Sequence, residues 1–395
     1  MRVVKSFIAL LFIGSLLQGC MSSTTINKPI KNSEEQFSLL LEEAEKADRI
    51  PRTLDENGNM HWANPKFDWT EGFFPGSCWY LYEATKDEKW KKAAEKFQGL
   101  FEDHKMRQDN HDLGFVFNCS YGNGYRLTKN EKFKAVMIQA ANSLITRFNP
   151  TVGCIKSWDV DSGWQATRGW EFPVIIDNMM NLELLFKVSE MTGDSKYKEI
   201  AIAHANTTMK NHYRPDYSSF HVIDYDPITG AVRNKNTAQG YADDSSWARG
   251  QAWGLYGYTV CYRYTNDKKY LEQAEKIANY ILTYKGTPKD GIPYWDYDAP
   301  KIPNEPRDVS AAAVTASALM ELDKYSKESY SNEINTIMTS LASSEYTATK
   351  GSNKNFILKH SVGSIPHGNE IDVPLNYADY YYLEALVRLT ELPKK

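Results

Sequence analysis

The chain is poor in cysteine, lacks any closely spaced set of metal-ligand residues, and has no long apolar run. Each shortage removes a class of function. Its 5 cysteines include no C-x-x-C pair, so a zinc ribbon or a dithiol redox centre finds no support. The 8 histidines are scattered without an H-E-x-x-H, which argues against a hydrolytic metal site. No G-x-S-x-G elbow and no phosphate loop with a following Lys occur, setting aside serine-hydrolase and nucleotide chemistry. Lys and Arg total 46 against 50 Asp and Glu, a formal charge of −4 with no basic patch. Nucleic acid is therefore a poor partner. The most apolar stretch, Phe7 to Leu17, is too short to remain in a bilayer as a spanning helix. Nothing in the chain requires a metal or a cofactor.

That apolar stretch follows Arg2 and Lys5 and precedes Gly19-Cys20, the layout of an export signal. Leu17-Gln18-Gly19-Cys20 resembles a bacterial lipobox, which implies a signal peptide over 1–19 and lipidation of Cys20. Residues 20–33, including polar Ser22 to Lys31, are then expected to tether a domain over 34–395. The implied location is the periplasm or the outer membrane, where a lipid anchor is the only membrane contact; plain secretion is the rival reading. The other cysteines, Cys78, Cys119, Cys154 and Cys261, lie far apart, most in apolar or aromatic surroundings. They are expected as buried free thiols.

Aromatics are plentiful: 10 Trp, 25 Tyr and 16 Phe, 13% of the chain. Sugar-binding clefts use such rings as platforms, and aromatic helix packing produces a similar count. A repeated unit favours helices. Asp87-Glu88-Lys89-Trp90, Asn130-Glu131-Lys132-Phe133, Asp194-Ser195-Lys196-Tyr197 and Asp267-Lys268-Lys269-Tyr270 each lead to an alanine, with a weaker copy at Ser329-Tyr330. Asp or Asn caps the new helix while the aromatic begins its apolar stripe. Each copy follows another helical stretch, near 75–85, 111–127, 173–191, 245–264 and 308–323. Asp308 and Ser310 are expected to cap the last of these. Helices near 34–47 and 374–391 have no sequence neighbour to pair with. Pairing these two closes a ring of six hairpins, an all-α (α/α)6 barrel, rather than a linear solenoid. The long segments 149–172, 211–244, 286–307 and 344–373 are expected as cavity-rimming loops or short ribbons.

Two aspartates stand out. Asp112 in Asn110-His111-Asp112-Leu113-Gly114-Phe115 and Asp177 in Ile175-Ile176-Asp177-Asn178 each sit among apolar neighbours near a helix start. Burial there raises a carboxyl pKa toward neutrality, and two such groups suggest the acid/base pair used on sugars. The plain alternative is that both are helix caps. His111 is placed to orient a substrate hydroxyl or to serve as a satisfied structural histidine. Between Gln239 and Trp253 polar and aromatic residues are densest, with Asp244 or Ser245 expected to cap a helix carrying Arg249 and Trp253 on one face. That pair suits an anionic sugar, the guanidinium on its carboxylate and the indole on its ring. The same pair also fits ordinary packing.

Trp69-Thr70-Glu71-Gly72-Phe73, His111-Asp112 with Gly114-Phe115, Ile176-Asp177-Asn178 with Met180-Asn181, and Gln239-Gly240 through Asp243, Trp247, Arg249-Gly250-Gln251 and Trp253 together resemble the unsaturated glucuronyl hydrolases of glycoside hydrolase family 88. The resemblance implies the same barrel and an oligosaccharide substrate ending in a 4,5-unsaturated uronic acid, with glycosaminoglycans cut by a lyase as the expected source. It implies Asp177 as general acid/base, Asp112 as its essential partner, and Trp69, His111, His221, Gln239, Arg249 and Trp253 as substrate contacts. One departure concerns a late loop. Where relatives acting on sulfated fragments carry Ser-x-x-Ser-x-Lys, this chain has Ser361-Val362-Gly363-Ser364-Ile365-Pro366, with Lys359, His360 and His367 nearby. Other readings are an unsaturated galacturonyl hydrolase, an inverting glycosidase of saturated sugars, and a glycan-binding lipoprotein without catalysis.

Overall fold

The structure is a computed structural model and describes residues 23–391; the leader, its cleavage point and Cys20 lie outside them. Among the described residues the helices are α1 (Ser23–Ala47), α2 (Phe73–Thr85), α3 (Glu88–Gly99), α4 (Leu113–Phe117), α5 (Asn123–Thr128), α6 (Glu131–Ile145), α7 (Asn178–Thr192), α8 (Ser195–Asn211), α9 (Ala248–Thr265), α10 (Lys268–Thr283), α11 (Val309–Leu322), α12 (Ser331–Leu341) and α13 (Asn376–Glu391). A π turn at Asn118–Gly122 joins α4 to α5, so the two run as one helix.

The repeated unit forms hairpins by one device. Lys86, Lys129, Gly193 and Asn266 take left-handed φ and end the inner helix. The next Asp or Asn then caps the outer helix: Asp87, Asn130, Asp194 and Asp267 accept from the N–H two residues on. The weak fifth copy has no side-chain cap, with Tyr330 in that position. Outer helices bury one stripe, as α10 does with Tyr270, Ala274, Ile277, Ala278 and Ile281. Inner helices are apolar nearly all round, and every residue of α11 is buried. The inner set closes on itself: α2 packs on α13, α13 on α11, α11 on α9, α9 on α7, α7 on α4, and the π turn on α2. The two chain ends pair as well, α1 against α13. The closed ring of hairpins is the architecture expected of the repeat.

Tight turns at one end of the barrel leave the long connections at the other, where the inner helices begin. These carry the short sheets: β1 (Pro51–Leu54) with β2 (Met60–Trp62), β3 (Phe148–Asn149) with β4 (Cys154–Ile155), β5 (Phe172–Ile175) with β6 (Val222–Tyr225) and β7 (Val232–Asn236), and β8 (Ser361–Ser364) with β9 (Asn369–Val373).

Three local expectations change. Residues 173–175 are strand, not helix, because Pro173 and the β-branched Val174 and Ile175 pair with β6. Neither Asp244 nor Ser245 caps α9, which starts after Trp247; the Ser245 hydroxyl bonds Asp296 at 2.7 Å instead. The stretch expected as a tether is helical from Ser23, with Ser33 buried and Gln36 bonded to the Ser352 and Phe356 carbonyls. Cys78, Cys119, Cys154 and Cys261 are buried free thiols, as expected. No helix among the described residues is long and apolar enough to cross a membrane.

The end of the barrel with tight turns is tied by ions. Arg263 bridges Glu183 at 2.7 Å and Glu321, and Arg388 joins Glu321 at 2.9 Å to Glu384 at 3.2 Å. Burial alone would raise the Glu321 carboxyl, but Arg263 and Arg388 hold it down at about 2. Its contribution to stability is therefore complete above the ordinary carboxylate pKa and is lost as pH falls toward 2. Removing Arg263 takes from Glu321 its main partner and leaves Glu183 with Lys187 as its cation. Arg263→Ala is predicted to cost about 2–3 kcal/mol in urea unfolding, a buried-pair loss discounted for the partly exposed guanidinium.

Candidate active site

Asp112 and Asp177 occupy the N-cap positions of α4 and α7, yet neither side chain makes a cap bond. The outer-helix caps described above all do. The amides of the first turns find other acceptors: Phe115 N–H donates to Asn181 Oδ1 at 2.8 Å, and Met180 N–H to the Asp177 carbonyl at 2.9 Å. Two carboxyls at helix starts, both buried and neither capping, are held for another purpose.

Both line one cavity of about 350 Å³ at the barrel end where the inner helices begin, together with Trp69, His111, Gln239 and Arg249. Burial pushes Asp112 up to about 8, and the neighbouring Asp177 charge adds to the rise. Near neutrality the pair therefore keeps a proton, which belongs to the coupled pair. Asp177 Oδ2 is buried without a hydrogen-bond partner. His111 lies with Nε2 3.2 Å from Asp112 Oδ1, and burial lowers its pKa to about 3, so the ring is neutral.

His221 is not on the cavity wall but directly behind Asp177. Its Nδ1 accepts from the Ala238 and Gln239 amides at 3.0 and 3.2 Å, which leaves the hydrogen on Nε2. That nitrogen faces Asp177 Oδ2 at 3.6 Å. His221 therefore sits behind the acid, with its Nε2–H turned toward Asp177 and its ring outside the cavity lining. Arg249 reaches the wall, but its two terminal nitrogens are engaged with Asp308 at 2.9 Å, the Val362 carbonyl, and the Gly363 carbonyl at 2.7 Å. Nε, buried and unpartnered, and the second hydrogen of Nη2 remain to donate. The other three N–H donors clamp Asp308 and β8 and so fix the guanidinium on the wall. Trp253 is also displaced from expectation: it is fully buried beneath the cavity, packed on Phe115 and Tyr381 at 5.1 and 5.4 Å.

Several wall residues escaped the sequence reading: Arg52, Trp158, Trp164, Glu370 and Tyr377. Trp158 stands between His111 and His221 and stacks on Trp170, while Trp164 closes the mouth against His367 at 4.9 Å. The crowding of tryptophans in 149–172 was a signal for these rings. Arg52 and Tyr377 carried none, since one lies in a short strand and the other in a helix of tyrosines. Among the described residues no group of three or more His, Cys, Asp or Glu side chains is placed to hold a metal ion.

The site favours an anionic ligand. Inner-helix N-termini carry positive partial charge toward the cavity. Arg249 Nε and the Tyr377 hydroxyl, both on its wall, are buried and unpartnered. A carboxylate there would satisfy groups that are otherwise costly to bury.

Comparison with known proteins follows this geometry. The profile of the family described as Glycosyl Hydrolase Family 88 matches residues 44–388. The chain is 46% identical over 369 residues to an unsaturated glucuronyl hydrolase of Formosa agariphila, covering 93% of this chain and 91% of that protein. It is 35% identical to an unsaturated chondroitin disaccharide hydrolase of Streptococcus agalactiae, covering 84% of this chain and 83% of that one. A crystal structure of an unsaturated glucuronyl hydrolase specific for heparin superposes with a TM-score of 0.88 at 45% identity, covering 94% of this chain and 98% of that chain.

The spacing of the two carboxyls depends on close contact between α4 and α7. A Cβ on Gly114 would stand 2.3 Å from the Asn181 Cα. Gly114→Ala is predicted to cost about 1–3 kcal/mol and to lower activity more than stability, because the helices must part. Thermal unfolding measured beside turnover checks this.

Proposed function

The chain belongs to Glycosyl Hydrolase Family 88, and we infer from its cavity how it works as an unsaturated glucuronyl hydrolase. It removes the 4,5-unsaturated uronic acid from the non-reducing end of oligosaccharides. The observation that carries the mechanism is the pair of buried, uncapped aspartates in one cavity.

The unsaturated uronate is a vinyl ether, with C5 bonded to the ring oxygen. Asp177 delivers its proton to C4, and the resulting positive charge at C5 is shared by the ring oxygen. Water adds at C5 and returns a proton to the now ionised Asp177. The hemiketal opens at the C5–ring oxygen bond, leaving a ketone at C5 and a hemiacetal at C1. Collapse of that hemiacetal expels the neighbouring sugar. One carboxyl serves as acid and then base, so no nucleophile at the anomeric carbon is needed. Like-charge repulsion between the two carboxyls keeps one proton on the pair, and Asp112 receives ring hydroxyls with His111. Trp69 and Trp158 supply apolar faces.

The names of the relatives point to glycosaminoglycan-derived substrates, and we place this chain among enzymes of such fragments in preference to pectin-derived ones. Of Lys359, His360 and His367, only His367 lines the cavity, bonded to Ser364 at 2.7 Å. Lys359 turns to the Ser344 carbonyl and His360 to Asp372. The N-terminal pattern supports lipid attachment at Cys20 and a periplasmic or outer-membrane location. A glycan-binding protein without catalysis would have no use for two uncapped buried carboxyls.

Asp177→Asn should reduce turnover of an unsaturated glucuronyl disaccharide on the order of 10³-fold, read from loss of the ultraviolet absorbance of the C4=C5 bond. Substrate binding by calorimetry should persist; wild-type turnover would sink the assignment. In the wild type, activity should fall as pH rises through about 8, where the pair loses its proton. Labelled palmitate should enter the full chain in a bacterial host and be absent from Cys20→Ser.

A further inference from the structure

The absence of a cap bond at Asp112 has a specific cause on α7. An N-cap aspartate ordinarily accepts from the amide two or three residues on. For Asp112 the third of these is Phe115 N–H, and that amide is already held by Asn181 Oδ1 at 2.8 Å. Asn181 reaches it because Gly114 lets the two helices touch, with no Cβ between the backbones. Its amide nitrogen donates to Asn178 Oδ1 at 3.4 Å, and beside the Asp112 carboxyl it offsets part of the rise that burial imposes there.

We propose that Asn181 is a positioning residue that caps α4 from the neighbouring helix and so frees Asp112 for the cavity. The proposal rests on the acid pair described above. By accepting from Phe115, Asn181 removes the incentive for Asp112 to fold back onto its own helix. The other groups acting on Asp112 are Asp177 and Asp68, which raise its pKa, Arg147, which lowers it, and neutral His111.

Two variants of the full chain, assayed on an unsaturated glucuronyl disaccharide across pH, separate these effects. Asn181→Ala removes the acceptor, so Asp112 should turn to Phe115 N–H, visible in a crystal structure. Turnover should fall about 100-fold with KM within about threefold, and the basic limb should move to lower pH, because an Asp112 carboxylate that accepts a backbone N–H is favoured in its charged form. Asn181→Asp keeps the acceptor but not the amide donor. Asp112 should stay in the cavity and the basic limb should move to higher pH. Limb shifts of opposite sign are not what general loosening of the fold produces. The proposal is overturned if both variants keep the wild-type profile, or if Asp112 does not move in Asn181→Ala. If Asp177→Asn is itself fully active, the acid pair fails; if it is inactive while both Asn181 variants match wild type, only this inference fails.

Discussion

The start of α7 is fixed by backbone contact, and everything chemical in the barrel is referred to it. On one side Gly114 brings α4 against Asn181; on the other Gly257 brings α9 against Met179, where a Cβ would lie 2.5 Å from the Met179 side chain. No side chain of adjustable length intervenes at either contact. Asp177 is thereby located by helix packing rather than by a loop, and the tolerance of that packing is a fraction of an ångström. A site built on such elements is preorganised before the sugar arrives.

The barrel is also electrically polar. Inner helices point their N-termini at the cavity and their C-termini at the opposite end. At that opposite end Arg263 and Arg388 lie among Glu183, Glu321 and Glu384, with Tyr80 and Tyr256 also donating to Glu384. Cations near helix C-termini are favourable, and the carboxylates neutralise them in turn. At the cavity end the positive helix starts would draw Asp112 and Asp177 toward ionisation. Burial and mutual repulsion win at Asp112. The pair keeps its proton only because its own helices do not use it as a cap.

Much of this was legible in the sequence, for a physical reason. The hairpins are local: an Asx cap, an aromatic and an alanine lie within one or two turns, so Asp87, Asn130, Asp194 and Asp267 announce the outer helices. Ring closure followed from two helices without neighbours. The acid pair was legible because carboxyls among apolar residues are unusual. What escaped depends on non-local partners. Arg249 reads as a carboxylate fork, but its clamp on Asp308 and the β8 carbonyls, far along the chain, does not show in the sequence. Trp253 reads as a platform until the depth of α9 beneath the cavity is known. Residues 173–175 read as helix because apolar runs do not reveal a strand partner, here β6, lying well downstream.

Chemistry and selectivity are consequently carried by different parts of the chain. The proton-bearing pair sits at the starts of inner helices in tight contact, where substitution disturbs the whole ring. The wall that meets the rest of the oligosaccharide is made by the long connections: Trp158 and Trp164 in one, Gly363 to Glu370 in another. That second connection is held at two points. Arg249 grips its β8 strand from the floor, and Arg52 grips Glu370 at 2.7 Å from the opposite side of the mouth. Arg52 also reaches Asp68 at 2.9 Å, a group that acts on Asp112. A change in this hairpin can therefore alter which sugar fits while leaving the acid pair in place. A change at Arg52 cannot, because it belongs to both the mouth and the electrostatics of the pair.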